Sequence, residues 1–355
     1  MRGLAAAIML QGHVFESWVR PQDRTGEWFW LSQFLGGLPA PVFLFLVGVS
    51  LAMVLDRMRS RGATRLELAA RVARRGAWIL ALAYAFRIEQ WLVWYPDSRW
   101  SDVFRVDTLN CIAVCTLAIG FFSVLFAARL ANLVAMSTAA IAVVALTPFL
   151  YPLRGDVHPL LLSYINGGGE ISYFSLIPWV SFALTGIALG YALIEARERH
   201  MERRFLTWVA VFGIACYSAG TLMSYFPIFE YGFFDYSVTS PHFFLFRIGL
   251  ILLILYGGYM WSQRRGRENW SPLQTIGRAS LLVYWLHIEI VYGRAFPHYS
   301  RALDFARAAQ HLLWLGPAML VIAVIWNRPP WRRQSTPEAR ASTMLPSMAG
   351  SDSGK

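Results

Sequence analysis

Residues 38–55 read LPAPVFLFLVGVSLAMVL, eighteen positions in a row without a charged side chain. At 1.5 Å of rise per residue such a run makes a helix of about 27 Å, close to the roughly 30 Å hydrocarbon core of a bilayer. The pattern recurs, with apolar runs at 2–19, 75–95, 104–126, 130–150, 174–194, 205–223, 243–261, 274–292 and 310–326. In hydrocarbon each backbone N–H must find its partner within the segment, so runs of this length become helices. The sequence therefore predicts an all-α, polytopic membrane bundle of about ten transmembrane helices. No soluble domain fits between them. Residues 1–327 form the membrane domain, and the polar, Pro- and Ser-rich residues 328–355 are expected to be a disordered cytoplasmic tail.

Composition agrees. Of 355 residues, 56% are hydrophobic and only 15% are charged, where a soluble chain carries roughly a quarter. Fifteen Trp, fifteen Tyr and twenty-four Phe suit aromatic belts at two membrane interfaces. The formal charge of +11 does not point to nucleic acid, because the arginines fall in short loops between apolar runs. Three cysteines leave no even pairing; Cys111 and Cys115, four apart on an apolar helix, read as packing residues rather than a metal or redox site. No signal peptide is expected, since the first run has no basic lead beyond Arg2 and no small-residue cleavage site after it.

The loops set an orientation. Fifteen arginines, among them Arg57, Arg61, Arg75, Arg129, Arg203 and Arg265, lie on the even-numbered connections, and seven lie on the odd-numbered ones. Positive charge stays inside, so both termini are predicted cytoplasmic, in the inner (plasma) membrane. With that orientation the ionisable residues inside the runs share a depth. His13 and Glu16 on the first helix, Arg87 and Glu89 on the third, and Asp102, Arg105, Asp107 and Asn110 at the start of the fourth all fall in the outer half. So do Arg247 on the eighth helix and Tyr284, His287 and Glu289 on the ninth. Charge at membrane depth is costly and marks a site by default. Blander readings exist for several of them: snorkelling for Arg87, a structural ion pair for Arg105 and Asp107, a packing role for His287. His13 is harder to dismiss, since Gly12 before it thins the helix where a ligand approaches. The run Gly167–Gly169 is no phosphate loop, lacking the strand and the lysine, and reads as an outer hinge before Trp179.

These residues also carry a resemblance. RGLAAAIMLQGH (2–13), LPAPVFLFLVGVSLAM (38–53), RRGAWILALAYAF (74–86), VDTLNCIAV (106–114), SLIPWVSFALTGIALG (175–190) and GRASLLVYWLHIEIV (277–291) resemble, in order, blocks of the transmembrane acyltransferase superfamily. The branch is the one that holds the heparan-α-glucosaminide N-acetyltransferase catalytic domain. The resemblance implies an acyltransferase that moves an acyl group, usually acetyl from acetyl-CoA as co-substrate, to a hydroxyl or amine of a cell-envelope glycan. His13 would be the general base, with Glu16, Asp107 and His287 as catalytic companions and a carboxylate fixing the imidazole tautomer. A covalent acyl-histidine is the open alternative. Arg2, Arg75 and Arg278, at the inner helix ends, would hold donor phosphates. Arg87, Arg105, Asn110, Trp179, Arg247 and Tyr284 complete the substrate-binding candidates, with no metal. Partners would be the bilayer, acyl-CoA and a glycan or glycolipid. A ten-helix secondary transporter of a small polar or anionic solute is the competing reading; it predicts paired broken helices, which the sequence does not show.

Overall fold

The computed structural model describes residues 1–150, 158–167, 172, 174–226, 240–264 and 270–327. Gly168, Gly169 and the tail 328–355 lie outside the described residues. The elements, in order, are α1 (Arg2–Trp18), α2 (Glu27–Gly36), α3 (Pro39–Arg59), α4 (Arg65–Val93), α5 (Trp100–Val103), α6 (Thr108–Val124), α7 (Arg129–Leu150), α8 (Pro159–Ile165), α9 (Leu176–Glu198), α10 (Glu202–Met223), α11 (Pro241–Arg264), α12 (Pro272–Arg278), α13 (Ser280–Val291) and α14 (Phe305–Trp326). No strand occurs among the described residues, only two isolated bridges. All ten apolar runs are helical, and the chain is a helical integral membrane protein. Among the described residues, six helical segments are long and apolar enough to cross a bilayer: Glu27–Arg59, Arg129–Leu150, Leu176–Glu198, Glu202–Met223, Pro241–Arg264 and Phe305–Trp326. α1, α6 and α13 are shorter, and the C-terminal end of α4 is diluted by Arg87, Glu89 and Gln90.

Three local features differ from the sequence reading. The loop after α1 contains α2, which packs on α1 so closely that a Cβ on Gly12 would sit 2.8 Å from the Gly36 Cα. Gly12 therefore serves a helix–helix approach, not the approach of a ligand. The arginines placed between the second and third runs belong mostly to α4, which starts ten residues before the apolar stretch does. Its start is a capping box, with the Thr64 Oγ1 accepting from the Glu67 N–H and the Glu67 carboxylate accepting from the Thr64 N–H at 2.7 Å. The ninth run is not one helix but two, α12 and α13, broken at Ala279.

Two apolar cores hold the bundle. The larger gathers α3, α4, α6, α7, α9, α10 and α11 around Phe45, Leu55, Ile119, Phe182, Ile187 and Ile251. Its tightest seam is α3 against α9, where Gly48 and Gly186 face each other's backbones and any Cβ would collide; small residues at a crossing let helices approach in lipid. The smaller core joins α1, α13 and α14 through Val14, Trp18, Val283, Leu315 and Met319. α1 touches both, with Ala5 in the larger and its second half in the smaller. The seam between the two cores is where the polar residues of the sequence reading collect.

Candidate active site

A cavity of about 740 Å³ opens in that seam. Its walls follow helical spacing: Met9, His13 and Glu16 from α1; Phe86, Arg87, Gln90 and Trp91 from α4, with Trp94 just past its end; Tyr284 and Ile288 from α13, with Tyr292 just past its end. Asp102 of α5, Arg105 and Asp107 of the α5–α6 connection and Thr108 at the start of α6 form another wall, and the start of α3 supplies Pro39, Ala40 and Phe43.

His13 is held by its neighbour on α13. Its Nδ1 lies 2.9 Å from the His287 Nε2, and the two rings stack with centroids 5.1 Å apart. His287 is fully buried, and its Nδ1 lies 2.7 Å from the Val283 carbonyl oxygen. A carbonyl only accepts, so the His287 Nδ1 carries the hydrogen and its Nε2, in the neutral ring, is a bare acceptor. That acceptor takes its hydrogen bond from the His13 Nδ1–H. The tautomer of both rings follows from the partners, and the His13 Nε2 is left as the basic atom of the pair. Glu16 does not bond His13; its carboxylate accepts from the Tyr292 hydroxyl, whose ring meets His13 edge-on at 5.4 Å. The tautomer is thus set by a second histidine, not by Glu16 or Asp107.

Asp102 organises the opposite wall. Its carbonyl accepts from the Arg87 Nε and Nη2 at 3.0 and 2.7 Å, and its carboxylate pairs with Arg105 at 2.8 Å. Arg105 therefore pairs with Asp102 and not with Asp107. Asp107 is the N-cap of α6: its Oδ1 accepts from Leu109 N–H at 3.0 Å and Asn110 N–H at 3.4 Å. Asn110 is fully buried one layer behind, donating to the Tyr164 hydroxyl at 2.8 Å, which meets the Tyr84 hydroxyl at 2.8 Å. Tyr284 packs between Phe86 and His287.

The structure thus brings His13, Glu16, Arg87, Arg105, Asp107 and Tyr284 to one cavity, with His287 and Asn110 behind it. It does not bring the others there. Arg247 is buried against α2, donating to the Phe34 carbonyl at 2.8 Å and lying over the Phe34 and Phe243 rings; a cation at a helix C-terminus complements the macrodipole. Trp179 is packed among Phe174, Phe182 and Phe243 in the larger core. Arg2, Arg75 and Arg278 are exposed. Arg2 reaches the Ser50 Oγ at 3.4 Å, and Arg2 and Arg71 are the cationic neighbours of Arg75. Sequence reasoning missed Gln90, which donates to the Glu289 carboxylate, and Tyr292 and Trp91, the latter stacked on Trp100 at 4.5 Å. The signal was present in spacing, since 284, 288 and 292 recur every fourth residue on one face. A second cavity of about 620 Å³ lies between α7, α9 and α10, but its Arg129 is already paired with Asp56 and Glu198. No cluster of three or more His, Cys, Asp or Glu with metal-binding potential occurs among the described residues.

Residues 1–227 match the heparan-alpha-glucosaminide N-acetyltransferase catalytic family. The chain belongs to this family. The match includes His13, Glu16, Arg87, Arg105 and Asp107 and stops before Tyr284 and His287, so the α13 wall is supplied by a segment outside the matched region. No curated protein matches the chain. Membership in this family makes the chain a membrane acetyltransferase.

Proposed function

We propose that the protein transfers an acetyl group from acetyl-CoA to a hydroxyl or amine of a cell-envelope sugar in the inner membrane, at the cavity between its two cores. The observation that carries this reading is the oriented imidazole pair. His13 lines the cavity with an Nε2 that is free to take a proton, the Val283 carbonyl and His287 having fixed every other ring nitrogen. Attack of the acceptor O–H or N–H on the thioester carbonyl forms the new C–O or C–N bond and breaks the C–S bond. His13 takes the acceptor's proton, and the thiolate of coenzyme A leaves. General-base assistance of this kind contributes typically about 10²–10⁴-fold. Arg87 and Arg105, on the wall that Asp102 organises, supply positive charge for the oxyanion.

The donor approaches from the cytoplasmic end. Arg2, Arg71 and Arg75 gather there, and guanidinium groups pair with phosphate bidentately. Arg2 and His13 are eleven residues apart on α1, about 16 Å along its axis, so a donor whose phosphates rest on Arg2 must extend that far to present its thioester. The sugar approaches from outside, where exposed Trp28 and Trp100 offer ring faces. Residues 1–327 would be one catalytic membrane unit, with both termini cytoplasmic. Purified protein incubated with labelled acetyl-CoA and an envelope extract is expected to yield a labelled glycan. Uptake of a solute into proteoliposomes with no acylated product would contradict this assignment.

A further inference from the structure

Asp107 carries more than its local structure requires. As the N-cap of α6 it uses one oxygen, Oδ1, for the Leu109 and Asn110 N–H groups. Asn or Ser at this position would cap equally well. Its second oxygen is left over. Asp107 is only 9% exposed, and its Oδ2 is buried with no hydrogen-bond partner among the described residues. Arg87 contributes charge from nearby but directs two of its N–H groups to the Asp102 carbonyl. A buried carboxylate oxygen without a donor is costly and uncommon, and this one belongs to a residue that lines the cavity.

We propose that the Asp107 Oδ2 is a specificity-determining acceptor, taking a hydrogen bond from an O–H or N–H group of the bound substrate. The carboxylate cannot donate, so it selects ligands that present a hydrogen at this point of the cavity wall and rejects those that present a lone pair. Two substrates of the proposed reaction offer such a group: the hydroxyl or amine of the acceptor sugar, and the amide N–H of the acyl-CoA arm. The inference rests on the acyltransferase reading for the identity of these ligands.

Substitution separates the cap from the second oxygen. Asp107→Asn keeps a carbonyl oxygen for the cap and turns the Oδ2 position into an NH₂, so that a donor faces a donor. Asp107→Ser keeps the cap and removes the second oxygen. Titration calorimetry of the purified wild type and both variants with two probes, glucosamine and coenzyme A, tests the proposal. Loss of a hydrogen bond to a charged group predicts roughly 10- to 100-fold weaker binding of one probe to either variant. Loss confined to glucosamine assigns the contact to the acceptor, and loss confined to coenzyme A assigns it to the donor. If the Asn variant does not fold, the Ser variant gives the same reading. Equal affinity of wild type and variants for both probes overturns the role of Asp107 and leaves the acyltransferase reading standing. Failure of the wild type to bind either probe overturns that reading, and this inference falls with it.

Discussion

A histidine two-thirds of the way along an apolar helix is unusual because its polar ring must find partners where water is scarce. His13 finds one 274 positions away, in His287, which in turn is held by the Val283 carbonyl. That arrangement predicts different behaviour for the two rings. His287→Leu removes the acceptor that orients His13 without touching the cavity wall, so kcat should fall by about 10²-fold with KM for acetyl-CoA little changed. Steady-state kinetics on the purified variant checks this; a raised KM with normal kcat would mean that His287 serves binding instead. Depth alone had placed both histidines in the outer half of the bilayer from sequence. Their pairing was not legible, because no local pattern links residues so far apart. Arg247 was misleading for the converse reason: a charge at membrane depth marks a costly burial, and here the α2 terminus and two aromatic rings satisfy it.

Apolar length made the helices readable, and charge or brevity hid the rest of them. α2 is only ten residues long and rich in aromatics, and it follows a polar loop, so nothing in its composition separated it from that loop. The first turns of α4 are Arg-rich and fall outside any apolar run, although the Thr64–Glu67 capping box was there to be read. Thr64→Ala should cost about 1 kcal/mol, measurable as a lower thermal midpoint in detergent. The α3–α9 seam makes a sharper prediction. Gly186 has the Phe45 backbone where its Cβ would go, whereas Gly316 on α14 has open space. Gly186→Leu should therefore destabilise the protein by at least about 1–3 kcal/mol, while Gly316→Leu leaves the midpoint unchanged. Equal midpoints for the two variants would mean the helices do not meet as described.

Across the whole molecule, the two cores and the seam between them explain why ionisable residues from distant parts of the sequence collect in one cavity. Each core closes on its own apolar faces, and the polar faces of α1, α4 and α13 are left looking into the gap. The arginine asymmetry predicts a direction for this arrangement. Reporters fused after Arg61 and Arg203 should read cytoplasmic and one after Pro297 external; a cytoplasmic reading after Pro297 would put the cavity mouth on the wrong side. The most direct test joins direction, site and chemistry. Sealed inside-out vesicles carrying the protein are given labelled acetyl-CoA outside and an envelope glycan trapped within. The wild type should label the trapped glycan, and His13→Ala, equally well folded, should do so at least about 10²-fold more slowly. No labelling by the wild type, or equal labelling by the His13→Ala variant, would contradict the account.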